Sequence, residues 1–107
     1  MAARNINHQE FEMLMQSGKP VLVDFWAPWC GYCRRIAQAY DMIAQNWGSE
    51  VEVVKVNIDE EPALSDREQI DVIPTLVLYK NGQALDSVVA PQSKAMIEDF
   101  IRQTLGK

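Results

Sequence analysis

Only two cysteines, one histidine and no long apolar run occur in the sequence, and each scarcity removes a class of protein. A membrane-crossing helix needs about 18 or more consecutive apolar residues, and no stretch approaches that. The amino-terminal residues Met1 to Ile6 lack the apolar core of a signal peptide, so the chain is expected to be neither exported nor membrane-spanning and to work in the cytoplasm. Ten Lys and Arg stand against fifteen Asp and Glu, for a net charge of -5. The basic residues are scattered and form no concentrated face for a phosphate backbone, so no nucleic-acid partner is expected. No repeat, low-complexity tract or Pro/Gly/Ser linker marks a boundary. The 107 residues, 48% hydrophobic and 23% charged, fit one globular domain spanning 1–107 that buries roughly two-thirds of its unfolded surface. Cys30 and Cys33 close too short a loop to constrain an unfolded chain. Redox cycling or metal binding remains for them.

What is present is an ordered alternation of elements. A brief strand is expected around Arg4 to Ile6. Asn7 with Glu10 three residues later reads as a capping box, and Phe11, Leu14 and Met15 give the following helix an apolar stripe as far as Gly18. After Gly18-Lys19-Pro20, the run Val21 to Trp26 has the near-continuous apolarity of a strand buried on both faces, interrupted by Asp24. Ile36, Ala37, Tyr40, Ile43, Ala44 and Trp47 recur at helical spacing up to Gly48, which predicts a long amphipathic helix opened by the cysteine turn. Val51 to Val56 is the next strand. A strand–helix–strand unit of this length forms a right-handed parallel pair, which sets the strand ending at Trp26 beside the one carrying Lys55. A polar, partly helical stretch, Asp59 to Gln69, follows. Thr75 to Tyr79 and Leu85 to Val89 then flank Asn81-Gly82, a hairpin signal. Ser93 caps a last helix whose apolar positions Met96, Ile97, Phe100, Ile101 and Leu105 are expected on one face.

Zinc and iron–sulfur sites usually take four ligands. Two cysteines and a single histidine, His8 in the first helix, cannot complete one within the chain, so no metal and no cofactor is expected.

The segment Asp24-Phe25-Trp26-Ala27-Pro28-Trp29-Cys30-Gly31-Tyr32-Cys33 resembles the active-site segment of the thioredoxin family. The likeness extends along essentially the whole chain through Ile73-Pro74-Thr75, similar to the family's cis-proline segment, and Lys80-Asn81-Gly82 in the closing hairpin. It implies an α/β thioredoxin-like three-layer sandwich, a central mixed β-sheet with helices on both faces. It also implies a protein-disulfide reductase working through a reversible Cys30–Cys33 dithiol/disulfide, with protein disulfides as substrates and a thioredoxin reductase, flavin–NADPH or ferredoxin-linked, as electron donor. A monomer is expected.

Disulfide exchange explains the spacing. One thiolate must form a mixed disulfide with the target, and a second thiol must then reach that sulfur. Cys30, exposed on the turn at a helix amino terminus where the dipole favours its anion, is the expected nucleophile; Cys33, one turn deeper, is the expected resolving thiol. A carboxylate such as Asp24 inside an apolar strand is costly unless paired or at an edge. The resemblance implies a buried acid there, taking the proton of Cys33 directly or through water. It likewise implies that Lys55 approaches and offsets this acid; a snorkelling lysine is the plain alternative. Pro74 is trans by ordinary preference and cis by resemblance, the latter presenting the Ile73 backbone to an extended substrate. Gly31 and Tyr32 lie between the cysteines, and Trp29, Ile73 and the Val89-Ala90 segment are expected to form an apolar rim. Trp26 is as readily packing as function. Asp59, Glu60 and Glu61 read as a solvated turn with no catalytic role.

Three departures from the family's commonest pattern stand out. Tyr32 and Gln38 occupy positions where proline is usual, and Ala90-Pro91 stands where a glycine-containing segment borders the site. A tyrosine at 32 supplies a main-chain donor that proline lacks, which is expected to favour thiolate over disulfide and make the couple more oxidising. An oxidase or isomerase is the alternative this opens. A binding module with incidental thiols is another.

Overall fold

In the computed structural model, which describes residues 2–106, the elements run β1 (Arg4–Asn5), α1 (His8–Met15), β2 (Val21–Trp26), α2 (Gly31–Trp47), β3 (Glu52–Asn57), α3 (Pro62–Arg67), β4 (Thr75–Lys80), β5 (Gln83–Val89) and α4 (Lys94–Leu105). The five strands form one mixed sheet in the order β1-β3-β2-β4-β5. β1 and β2 pair with β3 in parallel, whereas β2–β4 and β4–β5 are antiparallel. β2, the apolar run, therefore lies in the middle with every residue from Val21 to Phe25 buried.

Alternation along β2 and β3 sorts the core into two layers. Val21, Val23 and Phe25 join Val54 and Val56 beneath Phe11 of α1 and Leu64 of α3. Leu22 and Val53 face the other way, toward Ile36, Tyr40 and Ile43 of α2 and Ile97 and Ile101 of α4. Helices thus cover both faces. Tyr40 locks the second layer to the sheet: its buried hydroxyl lies 3.1 Å from the Leu22 carbonyl and 2.7 Å from that of Val54, bridging β2 and β3.

The helix starts follow the chemistry expected of them. Asn7 accepts from the Glu10 N–H while Glu10 accepts from the Asn7 N–H, and Ser93 accepts from the Met96 N–H. At the hairpin, Asn81 and Gly82 both take positive φ, 54° and 79°, as a two-residue turn between right-twisted strands requires. An irregularity between Leu78 and Tyr79 shifts the pairing, and β5 begins at Gln83, before the expected Leu85. β3 is displaced by one residue from Val51–Val56 because Val51 bonds back to the Trp47 carbonyl and ends the α2 turn. Met96 is exposed, unlike its expected core neighbours, since α4 turns its Ile97 and Ile101 edge to the sheet. α2 runs unbroken through exposed Gln38. Among the described residues no helix is long and apolar enough to cross a membrane.

Candidate active site

β2 ends at Trp26, and the chain turns through Ala27-Pro28-Trp29 before Cys30 caps α2. Cys30 has extended backbone, φ -86° and ψ 112°. Its Sγ accepts from the Cys33 N–H at 3.1 Å, occupying one of the amide groups a helix start leaves free. Cys30 and Cys33 are joined as a disulfide with Cα atoms 5.3 Å apart. Both sulfurs lie in a small apolar cluster with Ala27, against Trp26, Tyr32, Ile58 and Ile73. Cys30 is 8% exposed and Cys33 3%, so in the oxidised form the first cysteine does not stand out on the turn as expected.

The Ile73–Pro74 peptide bond is cis, and the Ile73 carbonyl oxygen lies 3.9 Å from Cys30 Sγ. Neither the N–H nor the carbonyl of Ile73 enters a main-chain hydrogen bond among the described residues. Trp29 and Val72, next in sequence to Cys30 and Ile73, and Val89, in register with Thr75, are all more than half exposed. Gly31 opens α2, and a Cβ there would meet nothing within 4 Å. The protein's own packing does not demand glycine, and the space above the turn is open.

Asp24 lies on the same face of β2 as Leu22, toward α2. It is 2% exposed, and its Oδ1 has no hydrogen-bond partner among the described residues. Burial pushes its carboxyl from an ordinary 3.8 up to about 7, while the positive charge of Lys55 pulls the other way. Lys55 is directly opposite in the parallel register, yet it makes no ion pair with Asp24 among the described residues. Its Nζ sits 4.4 Å from the centroid of the Trp26 ring, whose indole N–H donates to Asn5 Oδ1. The lysine thus acts on the acid through space, held over an aromatic face.

Asp59, read from the sequence as a solvated turn, accepts from the Trp29 indole N–H at 2.9 Å. The contact spans 30 residues, yet it follows from topology. Trp26 is in register with Asn57, so the segments leaving β2 and β3 emerge side by side. Position 32 adds a side-chain contact to the main-chain donor expected of it. The main-chain donor on Cys30 Sγ is the N–H of Cys33, and Tyr32 contributes through its phenol, 3.2 Å from the carbonyls of both Ala90 and Pro91.

Comparison with known proteins agrees with this geometry. The thioredoxin family model matches residues 2–103. Thioredoxin 1 of Synechococcus elongatus is 46% identical over 92 residues, 86% of each chain, and thioredoxin 1 of Nostoc is 42% identical over 105 residues, 97% of this chain and 98% of its own. The solved structure of a Malassezia sympodialis thioredoxin superposes with a TM-score of 0.86 at 32% identity, covering 96% of this chain and 90% of the other. The whole sheet, the cysteine turn and all of the helices but the end of α4 fall inside the matched span, so the chain belongs to the thioredoxin family and is a thiol–disulfide oxidoreductase of the protein-disulfide reductase kind.

Proposed function

We propose that this chain, acting as a monomeric single domain in the cytoplasm, reduces protein disulfides with Cys30 as nucleophile and Cys33 as resolving thiol. The reading rests above all on the Cys30–Cys33 disulfide at the start of α2, with the Cys33 N–H directed at Cys30 Sγ and, beside it, an Ile73 backbone that makes no main-chain hydrogen bond among the described residues. In the dithiol form the same N–H and the helix dipole favour a Cys30 thiolate. That thiolate attacks one sulfur of the target, forming a mixed disulfide and releasing the other sulfur as a thiolate. Cys33 gives its proton to the Asp24 carboxylate and attacks Cys30 Sγ. The target's remaining sulfur leaves as a thiolate, and the target has gained two electrons. A carboxyl whose pKa lies near the working pH takes and returns a proton at little cost, and Asp24 is raised to about 7. Lys55 keeps it from rising further.

Trp29, Gly31, Tyr32, Ile73, Pro74 and Ala90 line the approach, with Ile73 offering its main chain to an extended peptide. A thioredoxin reductase, flavin–NADPH or ferredoxin-linked, returns two electrons to the disulfide. That cycle needs a compartment that keeps thiols reduced, which supports the cytoplasmic reading.

Cysteine variants test the assignment. Cys30→Ser is expected to abolish disulfide reduction, whereas Cys33→Ser retains attack and accumulates mixed disulfides visible on a non-reducing gel. Equal trapping by both variants rejects the division of roles. Retention of partner support after loss of both thiols would establish a binding module instead.

A further inference from the structure

The wall opposite Ile73 has an unusual hydrogen-bond account. The Ala90 N–H is committed to the Pro74 carbonyl at 2.9 Å, and Pro91 has no N–H. The two carbonyls of this bend, Ala90 O and Pro91 O, each lie 3.2 Å from the Tyr32 hydroxyl, which shares its single proton between them. Ala90 is held at φ +48°, a left-handed conformation that a residue with a Cβ rarely adopts. The Tyr32 ring itself is fixed, half-buried, between the α2–α4 core layer and the cluster around the disulfide. The bend is therefore tied on one side to the segment carrying Pro74 and on the other to the residue between the two cysteines. Ile73 stands in contrast, with neither main-chain group in a main-chain hydrogen bond among the described residues.

Resting on the reading of Ile73 as a strand-pairing edge, we propose that Tyr32 is a specificity-determining residue that closes the Ala90–Pro91 wall to main-chain recognition. Of these two walls, it is the Ile73 side on which a backbone donor or acceptor of an extended peptide disulfide finds main-chain partners. On the opposite wall it finds an amide already donated, a proline and two carbonyls covered by a phenol. That side selects by apolar fit, through exposed Val89, while the Ile73 side tolerates any sequence. Removing the hydroxyl uncovers the two carbonyls as acceptors for a substrate amide.

The test is a set of peptide disulfides in which the amides of the three residues on each side of the substrate cysteine are N-methylated one at a time. Each is compared with its unmethylated parent by kcat/KM. The native protein is expected to lose about fivefold, the worth of one neutral hydrogen bond, at the amide that pairs with Ile73 and at no other. Tyr32→Phe is expected to keep that loss and gain a second of similar size at a different amide, and Tyr32→Pro to show the same second loss. An unchanged pattern in both variants overturns the role of Tyr32 and leaves the Ile73 reading intact, as does a second sensitive amide already present in the native protein. Indifference of the native protein to every methylation overturns the Ile73 reading, and the inference with it. A residue that merely stabilised the loop would alter all six ratios together or none.

Discussion

Replacing Asp24 by asparagine should stabilise the oxidised protein, and only above the pH at which the unfolded carboxyl ionises. The native carboxyl is 2% exposed with one oxygen unpartnered among the described residues, and burial moves its pKa from 3.8 to about 7. At about 1.4 kcal/mol per tenfold change in proton affinity, that difference is worth about 4 kcal/mol. The sign follows from proton counting. Between pH 3.8 and about 7 the folded protein holds a proton that the unfolded chain has lost, so stability falls as pH rises through this window and is lowest above it. Asparagine cannot ionise, and its curve lacks that fall. The disulfide keeps both cysteines from titrating, and the other carboxylates cancel between the two proteins. Guanidinium denaturation of oxidised native and Asp24→Asn protein should therefore give similar stabilities at pH 3.5 and a gain of about 2 to 4 kcal/mol for the variant at pH 8, the lower end allowing for an imperfectly bonded amide. Against a total of about 5 to 15 kcal/mol for a domain, the gain is easily resolved. A difference independent of pH, or a less stable variant at pH 8, would refute the claim that an ionised Asp24 is poorly compensated.

The same substitution should slow release of the mixed disulfide more than the initial attack, read by stopped-flow fluorescence at neutral pH; equal effects on both steps would remove Asp24 from the resolving step. Tyr40→Phe should cost about 1 to 2 kcal/mol in denaturant midpoint analysis, because it leaves the Leu22 and Val54 carbonyls without the hydroxyl that bridges them. Ala90→Gly should raise stability by about 1 kcal/mol, since relief at φ +48° outweighs the entropy glycine loses on folding; a lower melting temperature would contradict this.

The fold was legible wherever a local signal agreed with burial. The Asn7–Glu10 box, the Asn81-Gly82 turn and the Ser93 cap each specify a boundary through side chains or backbone angles within a few residues, and the parallel pairing of β2 with β3 followed from the length of the helix between them. Met96 was misplaced because a five-residue apolar set on a helix is wider than the stripe one sheet can cover. The cysteine turn was legible because the Asp24 to Cys33 segment and Ile73-Pro74-Thr75 together resemble the thioredoxin family, whereas two closely spaced thiols alone left redox cycling and metal binding both open. Asp59 was not, because its pattern is that of any polar turn. Only the register of Trp26 with Asn57 brings it to the Trp29 indole.

Position 32 has partners that lie far from it in sequence. A tyrosine beside a cysteine invites reasoning about its nearest atom, the backbone N–H, and hence about sulfur chemistry. The phenol instead reaches a bend 58 and 59 residues away, across a sheet whose order no local pattern declares. Read separately, Tyr32 and Ala90-Pro91 are two departures with separate consequences. Brought together by the fold they are interdependent: the phenol needs acceptors, the bend supplies two carbonyls, and the proline removes a competing donor from the same wall. A proline at 32 would leave those carbonyls uncovered, and a glycine at 90 would leave the bend free of the conformational restriction that presents them. In this chain one joint therefore ties the cysteine turn to the Ala90–Pro91 bend, and on the reading proposed above it acts on substrate recognition.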